Sequence, residues 1–409
     1  MLLLPALPIA FRVYVFLLRF TGVIPLIRKV SRDPERILVV NLTRHIGDIV
    51  MSLPLLERLH KERPQAILEV AVAAPMGSFL LDVPFIVRVH ELDFGAARPP
   101  MLHLYRRIWK MVRYAVKSLS NTSYDICLLP RWGNDPNGSA YLAYLTDASM
   151  RYGQDPSEER NVRETFWGTR YLMTSALRGG HGLPEAIREL RLLPWAGLVD
   201  GLDEGSAEKQ PIETLQMLAL QAASPELWER LSLSPAERFM VIAPGAHASH
   251  RRWPLENFVE CARALREIYG FSIVALGSAG ERSLGVELEQ LSSGIVRSLI
   301  GKTNLTETIA VFANAQLFIG NDSGPAHIAG GLGVPSLILS TISINSRAEG
   351  PSSPLRVRPV GPWVSIVQPA RGMDGCTDHC TRDTPHCIVQ ISPADVVERA
   401  QKLLNRSRL

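Results

Sequence analysis

The chain has 409 residues, more than one ordinary hydrophobic core accommodates, which predicts two domains. Hydrophobic residues make up 46% of the chain and charged residues 21%, a composition that excludes intrinsic disorder and suits an α/β protein. The net charge of +4 is too small to indicate a nucleic-acid partner, and no motif that reads DNA or RNA occurs. The five cysteines do not pair up as the disulfide framework of a secreted protein.

Residues 1–35 are predicted to form an amino-terminal extension. Prolines and arginines interrupt its apolar stretch, so no run approaches the ~20 residues of a membrane-spanning helix. A cleavable signal peptide is not recognisable. Phe11, Val15 and Leu18 recur with arginines between and after them, which predicts an amphipathic helix. That helix either lies on an anionic membrane face or packs on the surface of its own domain.

Residues 36–205 are predicted to form the first domain. Arg36–Asn41 is a β-branched and apolar run, typical of the first strand of a parallel sheet. A glycine-containing turn and apolar residues at helical spacing follow it. Asp48 therefore lies at a helix start beyond the carboxyl end of a strand, where open α/β sheets bind their ligands. A helix N-cap is the alternative role for Asp48.

The rest of the first domain offers a basic helix and a polar loop. The helix is predicted at 102–119, and its cations either meet a phosphorylated or membrane-bound acceptor or form a solvated face. The loop follows a predicted strand at 124–130. Its Trp132, Asn134 and Asp135 can hold sugar hydroxyls, because an aromatic face with amide and carboxylate groups suits a sugar ring. A plain surface loop is the alternative.

The chain turns polar after residue 197 and loses its hydrophobic period, so we place a linker region at 206–238 and the second domain at 239–409. A strand at 239–244 leads into a loop that begins at Gly245, and the next strand ends in a loop that begins at Gly277. Arg251 and Arg252 precede a helix start, where guanidinium groups can bind phosphate oxygens. A solvated arginine pair is the alternative.

The most informative stretch is 317–339. It predicts a buried strand, a polar turn at 321–324, a helix opened by Pro325 and a second buried strand. Backbone N–H groups at such a helix start can hold a phosphate. The small residues of the helix allow either close backbone packing or a close ligand. The ordinary turn of a βαβ unit is the alternative.

Both halves alternate strands with helices, which predicts two doubly wound, Rossmann-like α/β domains facing each other across a cleft. No G-x-G-x-x-G fingerprint follows the first strand, and no Walker lysine loop is present. A nicotinamide oxidoreductase and an NTPase are therefore disfavoured.

Several segments, each weak alone, together resemble glycosyltransferase family 9, the lipopolysaccharide heptosyltransferase family, which has the GT-B fold. They run in family order along the chain: RILVVNLTRHIGDIVMSLPLL at 36–56, YDI at 124–126, RYG at 151–153, APG at 243–245 with RWP at 252–254, and GNDSGPAH at 320–327.

The resemblance implies an inverting transfer of a sugar, often heptose, from a nucleotide-diphosphate sugar such as ADP-heptose to a lipopolysaccharide-core or lipid-linked saccharide. It makes Asp48 the general base and places Arg251 on the donor phosphates, where the family usually has lysine. That change keeps the charge but not its geometry. The residues expected at the donor are Arg251, Arg252, Asp322, Ser323, Gly324, His327, Gly245 and Gly277. Those expected at the acceptor are Arg44, His45, Trp132 and Asp135.

The chemistry of the transfer agrees with these assignments. A sugar hydroxyl needs a carboxylate to take its proton, and a departing diphosphate needs positive potential. The chain has no D-x-D triplet, so we expect arginines and a helix start to supply that potential without a metal, and we expect no cofactor.

Three cysteines, Cys376, Cys380 and Cys387, lie near the end of the chain beside His379 and His386. Thiolates and imidazoles of this number suit a structural zinc or iron site, although no C-x2-C pair is present. Packing or a small structural clip is the alternative.

Two other functions fit the same fold: a nucleotide-sugar epimerase and a non-catalytic nucleotide-sugar-binding protein. Asp48 and Arg251 beside the diphosphate segment favour the transferase. We expect a cytoplasmic protein, in peripheral contact with the inner face of the cytoplasmic membrane if the amino-terminal helix binds lipid.

Overall fold

The computed structural model describes residues 7–20, 34–94, 100–119, 122–131, 137–155, 169–180, 182–347, 350, 353–373 and 375–407. The chain divides into two compact units. Unit 1 comprises Met1–His181 and Glu185–Leu202, and unit 2 comprises Gly182–Pro184 and Asp203–Leu409. The main boundary thus lies at 202/203.

Unit 1 is built on a six-stranded parallel sheet of order β3-β2-β1-β4-β5-β6. Its strands are β1 (Arg36–Asn41), β2 (Ile67–Ala73), β3 (Ile86–Leu92), β4 (Ile126–Leu129), β5 (Met150–Gln154) and β6 (Ser175–Leu177). Its helices are α1 (Leu7–Phe20), α2 (Ile46–Glu62), α3 (Pro100–Tyr114), α4 (Ser139–Leu145), α5 (Glu185–Leu190) and α6 (Leu192–Trp195). The direction of strand addition reverses between β1 and β4, the switch point where such sheets bind ligands.

Unit 2 repeats this plan with the order β12-β11-β10-β7-β8-β9. Its strands are β7 (Phe239–Ala243), β8 (Ser272–Ala275), β9 (Val296–Ser298), β10 (Leu317–Asn321), β11 (Ser336–Leu339) and β12 (Val364–Val367). Its helices are α7 (Glu204–Lys209), α8 (Glu213–Ala222), α9 (Pro225–Leu231), α10 (Leu255–Tyr269), α11 (Arg282–Leu291), α12 (Leu305–Ala313), α13 (Gly324–Gly331), α14 (Pro354–Val357) and α15 (Pro393–Ser407). The switch point of this sheet lies between β7 and β10.

The central strands of both sheets are buried on both faces, so their sequences are nearly continuous apolar runs. All residues of β7 and β10 are buried, as are all but the first of β1. The two doubly wound α/β sheets expected from the sequence are therefore present. The segment 206–238, which the sequence suggested as a linker region, holds most of α7 and all of α8 and α9 within unit 2.

The amino-terminal helix α1 packs on unit 1. Phe11 and Val15 are buried, and the Phe11 ring meets the Tyr141 ring edge-on at 4.8 Å between centroids. On the same helix Val13 and Phe16 are 54% and 67% exposed. Packing on its own domain is thus confirmed for one face of α1. A second face of the helix carries exposed apolar side chains. Among the residues that the structure describes, none of the helices is long and apolar enough to cross a membrane.

Candidate active site

Asp48 lies in the first turn of α2, close to the end of β1. The last residue of β1, Asn41, is buried, and its side-chain N–H donates to Ser52 Oγ at 2.8 Å. Ser52 Oγ in turn donates to the main-chain oxygen of Asp48 at 3.2 Å. These bonds fix the start of α2 against the strand. The N-cap residue of α2 is His45, so the N-cap role considered for Asp48 is wrong.

The Asp48 carboxylate accepts hydrogen bonds from two donors, and part of its surface remains exposed. Thr43 Oγ1 donates to Asp48 Oδ2 at 2.6 Å, and Arg131 Nη1 donates to the same oxygen. Burial raises the pKa of Asp48, but the Arg131 charge, the Thr43 hydrogen bond and the His45 charge outweigh it, so the pKa lies below its ordinary value. The side chain is 23% exposed. Asp48 is therefore ionised at neutral pH and accessible to a hydroxyl.

Arg131 and Glu189 are neighbours of Asp48 that the sequence analysis did not assign. Arg131 follows β4, whose parallel pairing with β1 brings both carboxyl ends to one edge. Glu189 is buried on α5, and α5 packs on α2. Burial, the Glu185 charge and the Asp48 charge raise the pKa of Glu189 well above its ordinary value, although a Ser52 hydrogen bond lowers it. The pKa values of these two neighbouring carboxyl groups are thus shifted in opposite directions.

Arg44 and His45 occupy the loop between β1 and α2, with Arg44 half-buried and His45 exposed. Burial and the nearby charge of Arg44 lower the pKa of Arg107 on α3, so two guanidinium groups lie close together in unit 1. Trp132 and Asp135, the other two predicted acceptor residues, lie outside the described residues.

In unit 2, Arg251 and Asp322 form an ion pair across the switch point. Arg251 Nη2 donates to Asp322 Oδ2 at 2.6 Å. The Asp322 side chain is 10% exposed and the Arg251 side chain 34% exposed. The carboxylate thus orients a guanidinium group whose surface remains open to an anion.

Asn321, the last residue of β10, fixes the loop that carries Arg251. Its side-chain N–H donates to the Pro244 carbonyl at 2.7 Å, and its Oδ1 accepts from the Trp253 backbone N–H at 3.0 Å. Both ends of the loop between β7 and α10 are therefore attached to the end of β10. These two hydrogen bonds hold Arg251, which lies between them, in position.

Ser323 is the N-cap residue of α13, and Gly324 is its first residue. The Ser323 hydroxyl donates to the Asn321 carbonyl at 3.2 Å and makes no side-chain cap bond to the helix. Backbone N–H groups at a helix start attract anions. His327, one turn further along, is buried.

The glycines late in α13 serve backbone packing, one of the two roles expected for its small residues. A Cβ at Gly330 would lie 2.8 Å from Pro359 Cβ, and one at Gly331 would lie 2.8 Å from side-chain atoms of Ile212 and Leu215. A larger residue at either position would separate α13 from these neighbours.

The other predicted donor residues shape the loops around Arg251. Arg252 donates from Nε and Nη2 to the Ala246 carbonyl at 3.0 and 2.9 Å, so it braces its own loop. A Cβ at Gly245 would lie 2.0 Å from Glu281 Oε1, and one at Gly277 would lie 3.1 Å from Glu281 Oε2. Both glycines therefore make room for the Glu281 carboxylate. Glu281 was not among the predicted site residues, although its capping box with Ser278 is a recognisable signal.

Comparison with known proteins decides the family. The sequence profile described as glycosyltransferase family 9 (heptosyltransferase) matches residues 112–378, well over half of the chain. The chain belongs to glycosyltransferase family 9. The expected family and enzyme class are thus confirmed, and the class disfavours an epimerase. The matched range contains Arg131, Arg251 and Asp322, whereas Asp48 precedes it.

Individual family 9 relatives are distant in sequence and similar in fold. The lipopolysaccharide heptosyltransferase 2 of Salmonella typhimurium is 24% identical over 289 residues, which cover 69% of this chain and 73% of that protein. A family 9 glycosyltransferase structure from Veillonella parvula has a TM-score of 0.68 at 20% identity, covering 92% of this chain and 99% of that one. The structure of Escherichia coli heptosyltransferase WaaC with ADP has a TM-score of 0.65 at 17% identity, covering 90% and 99%. The expected GT-B fold is confirmed.

Proposed function

We propose that this family 9 glycosyltransferase moves a heptose from ADP-heptose to a saccharide of the lipopolysaccharide core, with inversion at the anomeric carbon. The observation that carries the proposal is the pair of Arg–Asp contacts, Arg131–Asp48 and Arg251–Asp322, one at each sheet's switch point. The name of the Salmonella relative and the ADP in the WaaC structure support the sugar and the nucleotide.

In the proposed reaction, unit 1 supplies the base. As the acceptor hydroxyl oxygen forms its bond to the anomeric carbon, the Asp48 carboxylate takes the hydroxyl proton. The bond between the anomeric carbon and the diphosphate oxygen breaks at the same time, and its electron pair leaves with ADP. Attack from the face opposite the leaving group inverts the configuration.

Unit 2 stabilises the departing diphosphate. Arg251, oriented by Asp322, and the backbone N–H groups at the start of α13 provide positive potential where negative charge develops. No metal is needed in this proposal. Arg252, Gly245 and Gly277 shape the loops around Arg251, and Ser323, Gly324 and His327 belong to the α13 end of the donor site.

We propose that the acceptor carries an anionic group. Arg44 and Arg107 lie close enough for one charge to lower the pKa of the other, and the loop that holds Arg44 leads directly into the helix of Asp48. Two adjacent guanidinium groups suit the phosphate of a core saccharide. His45, Trp132 and Asp135 complete the proposed acceptor site.

We further propose that α1 contacts the inner face of the cytoplasmic membrane, where a lipid-linked acceptor would be presented. Its Val13 and Phe16 are exposed, and the exposed basic residue Arg12 directly precedes Val13. Flotation of the purified chain with phosphatidylglycerol vesicles tests this. Phe16→Ser should reduce bound protein severalfold, whereas Val87→Ser, at a position 67% exposed on β3, should leave it unchanged. Equal binding by both variants would contradict the membrane role of α1.

The catalytic proposal is tested with purified chain, ADP-heptose and a heptose-deficient core oligosaccharide. Mass spectrometry should show the acceptor gaining one heptosyl residue, with ADP released in equal amount. A thermal-shift screen of ADP-, GDP-, UDP- and dTDP-sugars identifies the nucleotide independently. Interconversion of sugars without acceptor would indicate an epimerase, and donor binding without turnover would indicate a non-catalytic relative.

A further inference from the structure

The loop between β12 and α15 brings three cysteines and a histidine together. The ligand atoms of Cys376, Cys380, His386 and Cys387 all lie within 4.8 Å of one another. Cys376 Sγ is 4.0 Å from Cys380 Sγ and 3.5 Å from His386 Nδ1, which is 3.7 Å from Cys387 Sγ. The edges of a tetrahedron with zinc–sulfur bonds of ~2.3 Å are about 3.8 Å long. The spacing of the four side chains therefore matches tetrahedral zinc ligands.

A disulfide does not explain this cluster. Each of its three cysteines is a free thiol, and the 4.0 Å between Cys376 Sγ and Cys380 Sγ is nearly twice the ~2.05 Å of a disulfide bond.

Apolar packing does not explain the cluster either. Cys127 and Cys261, the other two cysteines, lie inside the apolar cores of their units. The cluster instead lies in a polar loop, where Thr377, His379 and Asp383 are exposed. Within that loop the Thr381 backbone N–H donates to Cys376 Sγ at 3.4 Å, the kind of contact that supports thiolate ligands around metals.

Where the structure describes it, the loop that carries the four side chains has no regular secondary structure to fix its conformation. Between the end of β12 at Val367 and the 3₁₀ turn Ile388–Gln390, the described residues form no helix or strand. Loops of this length are uncommon in compact domains unless they are functional or fastened. The Arg347–Asp378 ion pair is exposed on the arginine side and contributes little alone. A four-ligand metal site would join the middle of the loop, at Cys376 and Cys380, to its end, at His386 and Cys387.

We propose that Cys376, Cys380, His386 and Cys387 bind a single structural zinc ion. Three thiolates and one imidazole are a common ligand set of closed, four-coordinate zinc sites. Because the four ligand atoms lie so close together, a mononuclear ion fits them, whereas an iron–sulfur cluster holds its thiolates around several atoms.

This site would also support the loop that carries Arg251. The Ser249 hydroxyl donates to the carbonyl of Asp383, which lies between the second and third ligands. Trp253 Nε1 donates to the Ile391 carbonyl, four residues beyond the last ligand, at 3.0 Å. Ser249 and Trp253 flank Arg251, so loss of zinc should weaken nucleotide binding as a secondary effect. Zinc binding itself does not depend on the proposed heptosyl transfer.

The test is metal analysis of the full-length protein purified under reducing conditions without chelators. Mass spectrometry of metals should find one zinc per chain. Protein reconstituted with Co²⁺ should show the visible and near-ultraviolet absorption of tetrahedral thiolate-bound cobalt. Cys380→Ser should lose the metal, Cys261→Ala should keep it, and His386→Cys should keep it with an altered cobalt spectrum.

Wild-type protein decides the question if Cys380→Ser does not fold. A chelator should then lower the melting temperature of the wild type, and added Zn²⁺ should restore it. Three results would overturn the proposal: wild type that neither retains zinc nor gives a cobalt spectrum after reconstitution, a Cys376–Cys380 disulfide in the purified protein, or equal metal loss in Cys261→Ala and Cys380→Ser.

Discussion

The two units share one strand order but place their charges in opposite ways. Unit 1 has the order β3-β2-β1-β4-β5-β6, and unit 2, taken from its other edge, has the order β9-β8-β7-β10-β11-β12. In each unit an arginine–aspartate contact joins the ends of the first and fourth strands. In unit 1 the aspartate follows the first strand, and in unit 2 the arginine does.

This exchange of charges suits the two different roles that we propose for the two units. Asp48 is 23% exposed and Asp322 only 10%, so the carboxylate of unit 1 can reach a substrate proton while that of unit 2 mainly orients its partner. Arg251 keeps 34% of its surface for an anion. Side chains at the switch point, more than the sheet beneath them, therefore distinguish the two units.

The largest effect is expected from Asp48→Asn. The amide preserves the shape of the side chain but cannot take the acceptor proton, so kcat should fall by about 10²–10⁴-fold. The dissociation constant for ADP, measured by calorimetry, should stay the same, because the nucleotide is assigned to unit 2. Asp322→Asn is the matched variant in the other unit and should act mainly on ADP binding. Near-normal turnover by Asp48→Asn would remove Asp48 from the mechanism.

Arg251→Ala should give the next largest effect, and it acts on binding. A hydrogen bond to a charged group contributes ~1.5–3 kcal/mol, so the dissociation constant for ADP should rise about 10- to 100-fold. Arg251→Lys should recover part of this loss because it keeps the charge without the fork of donors. Arg263→Ala, an exposed change on α10 whose side chain bonds the Leu291 carbonyl, should leave ADP binding unchanged. Unchanged affinity in Arg251→Ala would place the phosphates elsewhere.

Arg131→Gln should shift the pH dependence of the reaction. Burial raises the pKa of Asp48 and the Arg131 charge opposes it, so removal of that charge raises the pKa. A base works only when deprotonated, so the acid limb of kcat/KM should move to higher pH. Initial rates across the acidic range measure this. Arg178→Gln, which changes an exposed partner of Asp155 in the same unit, should leave the acid limb in place. An unmoved limb in Arg131→Gln would mean that the limb does not report Asp48.

The buried strands could be predicted from the sequence because their apolar runs depend on no other part of the chain. Residues 36–41 match β1 in full, and the predicted strands at 239 and 317 begin where β7 and β10 begin. The edge strands β3, β6 and β12 were not predicted. They are short or carry exposed polar residues, and only pairing with a neighbouring strand defines them.

The candidate site likewise contains residues whose positions could be predicted and residues whose positions could not. The positions of Asp48, Arg251 and Asp322 beyond strand ends could be predicted, because each follows a recognisable strand. Arg131 is 83 residues from Asp48, and their contact follows from the pairing of β1 with β4. Glu189 approaches Asp48 only because α5 packs on α2. Contacts that tertiary structure alone creates carry no local pattern in the sequence.

The smallest expected effect concerns what the two sheets bury. Strands β7 to β12 contain no aspartate or glutamate, whereas β2 buries Glu69. The Glu69 carboxylate accepts from Tyr124 Oη at 2.6 Å and from Arg36 Nη1 at 3.1 Å, and it lies 2.6 Å from His90 Nε2. Burial raises the pKa of Glu69, but its hydrogen bonds with His90 and Tyr124 and the charges of His90 and Arg88 bring it below the ordinary value.

Tyr124→Phe should therefore destabilise unit 1 by about 1–3 kcal/mol at neutral pH, because a buried carboxylate loses a donor. The folded pKa of Glu69 is below the unfolded one, so its contribution is complete above the unfolded pKa and is lost as the pH falls through the folded pKa. The difference between wild type and variant should shrink over that interval. Hydrogen exchange of peptides from β2 and β8 measures each unit separately. Exchange should rise in β2 and not in β8, and Tyr171→Phe, at a position 62% exposed, should change neither. Equal loss of protection in β2 and β8 would show that the hydrogen bond from Tyr124 to Glu69 does not stabilise unit 1 selectively.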